Sequence, residues 1–85
     1  IMRMLEDAAE YLLLNVIREL AKNYKVSNET IHFMASFYRF SFAGVVFDWI
    51  EKGMHENPQK IVDQVAILMQ GTFPSALERF EKAKM

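Results

Sequence analysis

The sequence predicts an all-α domain of three to four helices, in which the last two long helices form a four-helix-bundle interface with a second copy. Three observations predict the helical fold. The 85-residue chain is 52% hydrophobic and 13% aromatic, which is too apolar for a disordered segment. It contains 3 Gly and 2 Pro, too few for an all-β chain with many tight turns. Apolar side chains also recur at the i, i+3, i+4, i+7 spacing of amphipathic helices.

The first predicted helix covers Met4 to Tyr24. Glu6 and Asp7 lie near its start, and Arg18 and Lys22 lie near its end, as the helix dipole favours. Its apolar side chains share one broad stripe, which we expect to be buried. The stripe consists of Leu5, Ala9, Leu12, Leu13, Val16, Ile17, Leu20 and Tyr24.

The second predicted helix covers Asn28 to Lys52, with Ser27 or Asn28 as its N-cap and Gly53 as its stop. It carries seven of the eleven aromatic residues of the chain. One face of its helical wheel contains Ile31, Ala35, Tyr38, Phe42, Val45, Val46 and Trp49. The opposite face contains Phe33, Phe37, Phe40, Gly44 and Phe47. A helix that is apolar on two opposed faces must be covered on both.

The third predicted helix begins at Pro58, where a missing N–H costs nothing, and continues to about Gln70 after the N-cap Asn57. Pro74 either kinks this helix or opens a fourth one. The apolar side of the third helix consists of Ile61, Val62, Val65, Ala66, Leu68 and Met69.

Composition excludes several classes of function. The absence of cysteine excludes a disulfide framework and a thiolate metal site, and two histidines alone cannot complete a zinc site. The chain has no cysteine nucleophile, no Gly-rich phosphate loop and no His-Glu-x-x-His pair, so we expect neither an enzyme nor a bound cofactor. Its formal net charge of -1 also argues against direct contact with DNA.

We expect a cytoplasmic protein without a membrane segment. The chain does not open with the basic, apolar and small-residue pattern of a signal peptide. The run from Ile31 to Ile50 has the length of a membrane span, but Arg39 and Asp48 within it would be costly in a bilayer.

A partner is expected because two one-sided helices cannot cover all of the second helix. Leaving even three of its aromatic rings in water forgoes several kcal/mol at about 25 cal/mol per Å². Pairing the second and third helices with their symmetry mates would form the self-complementary interface of a two-fold dimer. The alternative is that these apolar residues belong to the core of one larger chain.

The middle of the chain resembles the C-terminal domain of TetR-family transcriptional regulators, in the variant common in Firmicutes. The resemblance lies in the stretch Phe37 to Met54, with the small pair Ala43-Gly44, Trp49 five residues on, Gly53-Met54 and a helix start at Pro58. It implies that residues 1–85 form a C-terminal regulatory and dimerisation domain. It also implies that operator DNA is bound by an N-terminal helix-turn-helix domain, which these residues do not contain.

The resemblance implies candidate residues for two surfaces. The dimer interface would use Phe40, Ala43, Gly44, Phe47, Trp49, Ile61, Val65, Leu68 and Met69. A small apolar effector would bind between polar groups and an aromatic wall, formed by His32, Phe33, Phe37, Arg39 and Phe40.

Structural roles remain open for the two polar members of the effector set. Arg39 could instead pair with an acid such as Glu6 or Asp48, and His32 could be a partly exposed surface residue. Asp48 needs a partner if it is buried.

Two functions therefore remain. An effector sensor predicts an apolar pocket of a few hundred Å³ between the first and second helices, or one completed by helices outside these residues. A ligand-free dimerisation or protein-interaction module predicts no internal cavity.

Overall fold

A computed structural model describes residues 1–85 and contains four α-helices. They are α1 (Met2–Ala21), α2 (Asn28–Glu51), α3 (Pro58–Leu68) and α4 (Thr72–Lys82). The prediction of an all-α fold is confirmed. None of the helices combines the length and the apolar character that crossing a membrane requires.

The helix starts follow the predicted caps. The Ser27 hydroxyl accepts the Thr30 N–H at 3.1 Å, and the Asn57 side chain accepts the Gln59 N–H at 2.9 Å. Pro58 occupies the first turn of α3. Each side-chain oxygen satisfies a backbone donor that has no partner within its helix.

The helix ends are set by turns. The first helix stops at Ala21, earlier than the predicted Tyr24, because the Tyr24 N–H bonds the Ala21 carbonyl at 3.0 Å and tightens the chain into a turn. Gly53, with φ +87°, follows α2 in the left-handed region that glycine tolerates.

Pro74 opens a fourth helix and does not kink the third. Gly71, with φ +74°, separates α3 from α4, and Pro74 is the third residue of α4. Its missing N–H therefore falls among the first four positions of the helix, which make no intrahelical bond through their N–H groups.

The core lies where α1, α2 and α4 meet. Its two fully buried large side chains are Ile17 of α1 and Leu77 of α4. The core residues are Leu13, Ile17, Ala21, Ile31, Met34, Ala35, Ala76 and Leu77. The third helix has no buried residue, so the C-terminal half of α2 lacks the cover that its N-terminal half has.

The apolar stripe of α1 is only partly buried, which corrects the prediction. Leu13 and Ile17 are buried, whereas Leu12 remains 63% exposed and Val16 49% exposed. The stripe is wider than the surface of α2 that it packs against. Leu12 and Val16 therefore lie at the mouth of a cleft between the two helices.

The chain after α4 is fixed to the start of α2. The main-chain oxygen of Met85 accepts the Ser27 N–H at 2.9 Å and the Thr30 hydroxyl at 2.6 Å. The Glu81 carboxylate accepts the Lys25 N–H at 3.0 Å. These three bonds hold α4 against the N-terminal half of α2.

Removing the Leu77 side chain tests whether α4 belongs to the core. We expect Leu77→Ala to lower the free energy of unfolding by about 2 to 5 kcal/mol, because it opens a cavity in a fully buried site. Denaturant unfolding followed by circular dichroism measures this loss. Leu12→Ala, at a position 63% exposed, is the matched control and should cost much less; equal costs would contradict the described core.

Candidate dimerisation and ligand-binding surfaces

The two polar residues of the predicted effector set pair with α1. Arg39 donates from Nη1 to Glu10 Oε1 at 2.7 Å, in an ion pair whose side chains are 28% and 26% exposed. The Arg18 guanidinium donates from Nη2 to His32 Nε2 at 3.1 Å. Arginine has only donors, so His32 Nε2 is the acceptor in this bond. Both contacts cross from α1 to α2 and fix the alignment of the two helices.

The partner of Arg39 is thus Glu10, and neither Glu6 nor Asp48 pairs with it. Asp48 lies on the surface and pairs with Lys52 one turn later at 2.9 Å. Its hydrogen bond and negative charge raise the pKa of Lys52 above its usual value. Asp48 therefore needs neither Arg39 nor a partner from another copy.

Aromatic rings connect the surface of α2 to α4. Phe33 and Phe37 stack with ring centroids 6.3 Å apart, and Tyr38 meets the edge of Phe37 at 5.2 Å. Tyr38 also meets Phe73 of α4 edge to face at 5.1 Å. Such pairs add to the stabilisation that burial gives.

The cleft between α2 and α4 has a volume of about 390 Å³. It contains Phe33 and Phe37 from the predicted effector set, whereas His32 and Arg39 face α1 and Phe40 is 53% exposed on the surface. The five predicted residues are therefore not brought together in one pocket. The cleft is lined by Phe33, Met34, Phe37, Tyr38, Ala76, Arg79, Phe80, Ala83 and Met85.

A second apolar cleft lies between α1 and α2, where a sensor was expected to have its pocket. Its volume is about 350 Å³ and every lining residue is apolar. None of the predicted effector residues lines it. The lining is Leu5, Ala8, Ala9, Leu12, Leu13, Val16, Phe42, Ala43, Val46 and Phe73. The sequence feature that corresponds to this cleft is the broad apolar stripe on α1, because residues of that stripe line it.

One face of α2 stays uncovered in the single chain, and we call it the open flank: Phe33, Phe37, Phe40, Gly44 and Phe47. Phe33, Phe37 and Phe40 are 60%, 63% and 53% exposed, respectively. A Cβ added to Gly44 would meet no atom within 4 Å. Helices α1 and α3 approach α2 from its other sides, whereas α4 lies beside the N-terminal end of the flank, where Phe33 and Phe37 line the cleft between α2 and α4.

The third helix adds a further apolar surface beside α2. A groove of about 290 Å³ runs between the two helices. Leu68 is 80% exposed and Val62 58% exposed at its edge. The groove is lined by Ser41, Phe42, Val45, Val46, Ile61, Val62, Val65, Leu68 and Met69.

The predicted interface residues fall into four groups. Ile61, Val65, Leu68 and Met69 line the groove beside α3, and Phe40, Gly44 and Phe47 belong to the open flank. Ala43 is buried against α1 within the chain. Trp49 is half-buried and donates its indole N–H to the Glu56 carbonyl at 2.7 Å, which ties the end of α2 to the loop before α3.

The comparison with protein families assigns the chain to a class. Residues 1–71 match the family model TetR_C_8, described as "Transcriptional regulator C-terminal region". The match covers most of the chain, so the chain belongs to this family of TetR-type C-terminal domains, and the resemblance noted above is confirmed. The family is one of transcription regulators and not of enzymes. No curated protein and no solved structure matches the chain significantly.

A double-mutant cycle measures how strongly α1 and α2 are coupled by Glu10 and Arg39. We expect Glu10→Ala and Arg39→Ala to show a coupling energy of about 1 to 2 kcal/mol in denaturant unfolding, because the pair is only about a quarter exposed. The exposed pair Glu19–Lys22 is the control and should show about 0.5 kcal/mol or less. Equal coupling in both cycles would show that the Glu10–Arg39 pair does not fix the helices.

Proposed function

We propose that the chain is the dimerisation and effector-sensing domain of a TetR-type transcriptional regulator that acts in the cytoplasm. In this proposal, operator DNA is bound by an N-terminal helix-turn-helix domain outside these 85 residues. The membership of residues 1–71 in a family of regulator C-terminal regions supports the regulatory role. The open flank of α2 is the observation that carries the dimerisation.

The energy of the open flank argues for a partner. Burying one phenylalanine side chain is worth about 1.5 to 3 kcal/mol. Phe40 is 53% exposed, and Val62 and Leu68 of α3 are 58% and 80% exposed, so covering them recovers several kcal/mol. That amount is comparable with the whole stability of about 5 to 15 kcal/mol of a small domain.

The proposed contact combines the C-terminal part of the open flank, Phe40, Gly44 and Phe47, with α3. Two copies related by a two-fold axis would place α2 and α3 against their mates and form a four-helix bundle. Gly44 permits close approach of the two backbones, and Phe40 and Phe47 flank it. Ile61, Val65, Leu68 and Met69 contribute the apolar stripe of α3, while Trp49 and Ala43 support the interface from within each copy.

Effector sensing would act through the fit of α1 on α2. A small apolar molecule in the cleft between them would contact Leu12, Val16 and Val46, which line its wall. In the complete regulator, the dimer fixes the separation of two DNA-binding domains, and their half-sites must match it. An effector that binds one arrangement better shifts the population toward it, by no more than its difference in affinity.

A ligand-free dimerisation module is the second candidate. It is favoured by the open form of the α1–α2 cleft, where Leu12 and Val16 remain widely exposed. Apolar probes distinguish the two functions: a sensor binds N-phenyl-1-naphthylamine with a rise in its fluorescence that Ala9→Phe abolishes by filling the cleft. A ligand-free module shows no such site-dependent signal.

The dimer itself is tested by analytical ultracentrifugation. We expect the 85-residue chain to sediment as a dimer at micromolar concentration, because association removes the exposed rings from water. A folded, stable monomer at that concentration would contradict the proposed contact.

Gly44→Leu tests which face forms the contact. Within one copy the new side chain meets open space, and replacing glycine in a helix interior favours the helix by about 0.5 to 1 kcal/mol. We therefore expect a fold of unchanged or higher stability and at least about tenfold weaker dimerisation by concentration-dependent sedimentation. Asn15→Leu on the exposed side of α1 is the control and should leave dimerisation unchanged. Unaltered association of Gly44→Leu would move the contact away from the open flank.

A further inference from the structure

The cleft between α2 and α4 differs from the other apolar clefts because it contains a charge. Its lining includes the rings of Phe33, Phe37 and Phe80 and one charged side chain, that of Arg79. The volume of about 390 Å³ lies within the range of small-molecule sites. The wall formed by α4 comes from residues 72–82, beyond the family match at residues 1–71.

Arg79 is the one charged residue of α4 without a partner in the chain. Lys82 pairs with Glu78 at 3.2 Å, and Glu81 accepts the Lys25 N–H. Arg79 takes part in no ion pair and in no side-chain hydrogen bond. Its guanidinium is therefore free to pair with a group that enters the cleft.

Arg79 is the only charged side chain among the residues that line the cleft. The adjoining cleft, which shares Phe33, Phe80 and Met85, adds the opposite charges of Glu29 and Lys84. No acidic side chain lines the cleft that contains Arg79.

We propose that the α2–α4 cleft binds a small organic carboxylate with an apolar body, such as a medium-chain aliphatic or an aryl carboxylate. The planar guanidinium of Arg79 matches a carboxylate through two parallel hydrogen bonds. The rings of Phe33, Phe37 and Phe80 cover the apolar body. The inference goes beyond the proposed function: it assigns a second ligand site, separate from the α1–α2 cleft, and a chemical class to the ligand of that site.

A second copy of the chain is the competing occupant of this cleft. Packing an apolar helix over Arg79 would bury a guanidinium without an acid opposite it, which is costly. A carboxylate ligand covers the same rings and also neutralises the charge. Charge complementarity therefore favours the ligand.

Two amphiphiles with the same alkyl chain and opposite charges test the proposal. Decanoate and decyltrimethylammonium are titrated into the 85-residue protein by isothermal titration calorimetry, well below their micelle concentrations. We expect decanoate to bind at least about tenfold more tightly than the cation. Equal affinities, or no binding of decanoate, would overturn the proposal.

Variants locate the site. Arg79→Gln should weaken decanoate binding about tenfold and leave decyltrimethylammonium unchanged, whereas Lys82→Gln, a cation on the same helix outside the cleft, should change neither. Ala83→Phe, which fills the cleft without removing a charge, should weaken both amphiphiles. An Arg79→Gln variant that binds decanoate like the unchanged chain would refute the assignment.

The dimer is measured on the same samples. Sedimentation of the Arg79→Gln protein should match that of the unchanged chain, because Arg79 lies outside the proposed contact. Decanoate binding that disappears as the protein concentration rises would assign the cleft to a second copy and overturn the proposal. Absence of decanoate binding to the unchanged chain, with an intact dimer, would refute this inference alone and leave the proposed dimerisation standing.

Discussion

The apolar character of α2 on both flanks is the constraint on which the rest of the structure depends. A chain of 85 residues has too few other helices to cover both flanks. Helix α1 takes one side, α4 covers the N-terminal half and α3 lies beside the C-terminal half. Within residues 1–85 the open flank is the side of α2 that is left, and it adjoins the exposed surface of α3.

The two halves of α2 differ in how firmly they are held. In the N-terminal half, Ile31, Met34 and Ala35 are buried in the core, and α4 is fixed by Leu77 and by the hydrogen bonds of Met85. In the C-terminal half, the neighbouring helix α3 has no buried residue. Association through this half would therefore stabilise the least covered part of the chain, so that folding of α3 and dimerisation reinforce each other.

Much of the fold follows from local sequence signals. Helix starts are marked by Ser27 and Asn57, whose side chains accept backbone N–H groups, and by Pro58, which has no N–H to satisfy. Gly53 and Gly71 mark helix ends because their positive φ angles suit glycine. The two-faced wheel of α2 likewise predicted an uncovered flank, since helical spacing alone decides which side chains share a face.

Contacts between helices could not be predicted in the same way. The pairing of Arg39 with Glu10 and of His32 with Arg18 depends on how far α1 slides along α2, which no local pattern determines. The cleft beside Arg79 depends on the direction in which α4 folds back after Gly71. The predicted effector residues therefore lie on two different surfaces, although all of them belong to α2.

The contact between copies is tested most directly by nuclear Overhauser effects in a mixed sample of ¹³C-labelled and unlabelled chains. Filtered spectra of such a sample report only proton pairs that belong to different copies. A dimer formed through the open flank and α3 gives intermolecular effects from the rings of Phe40 and Phe47 to each other and to the methyl groups of Val65 and Leu68. Spectra that show intermolecular effects only from α1, or none while the rings of the open flank stay exposed to solvent, would contradict it.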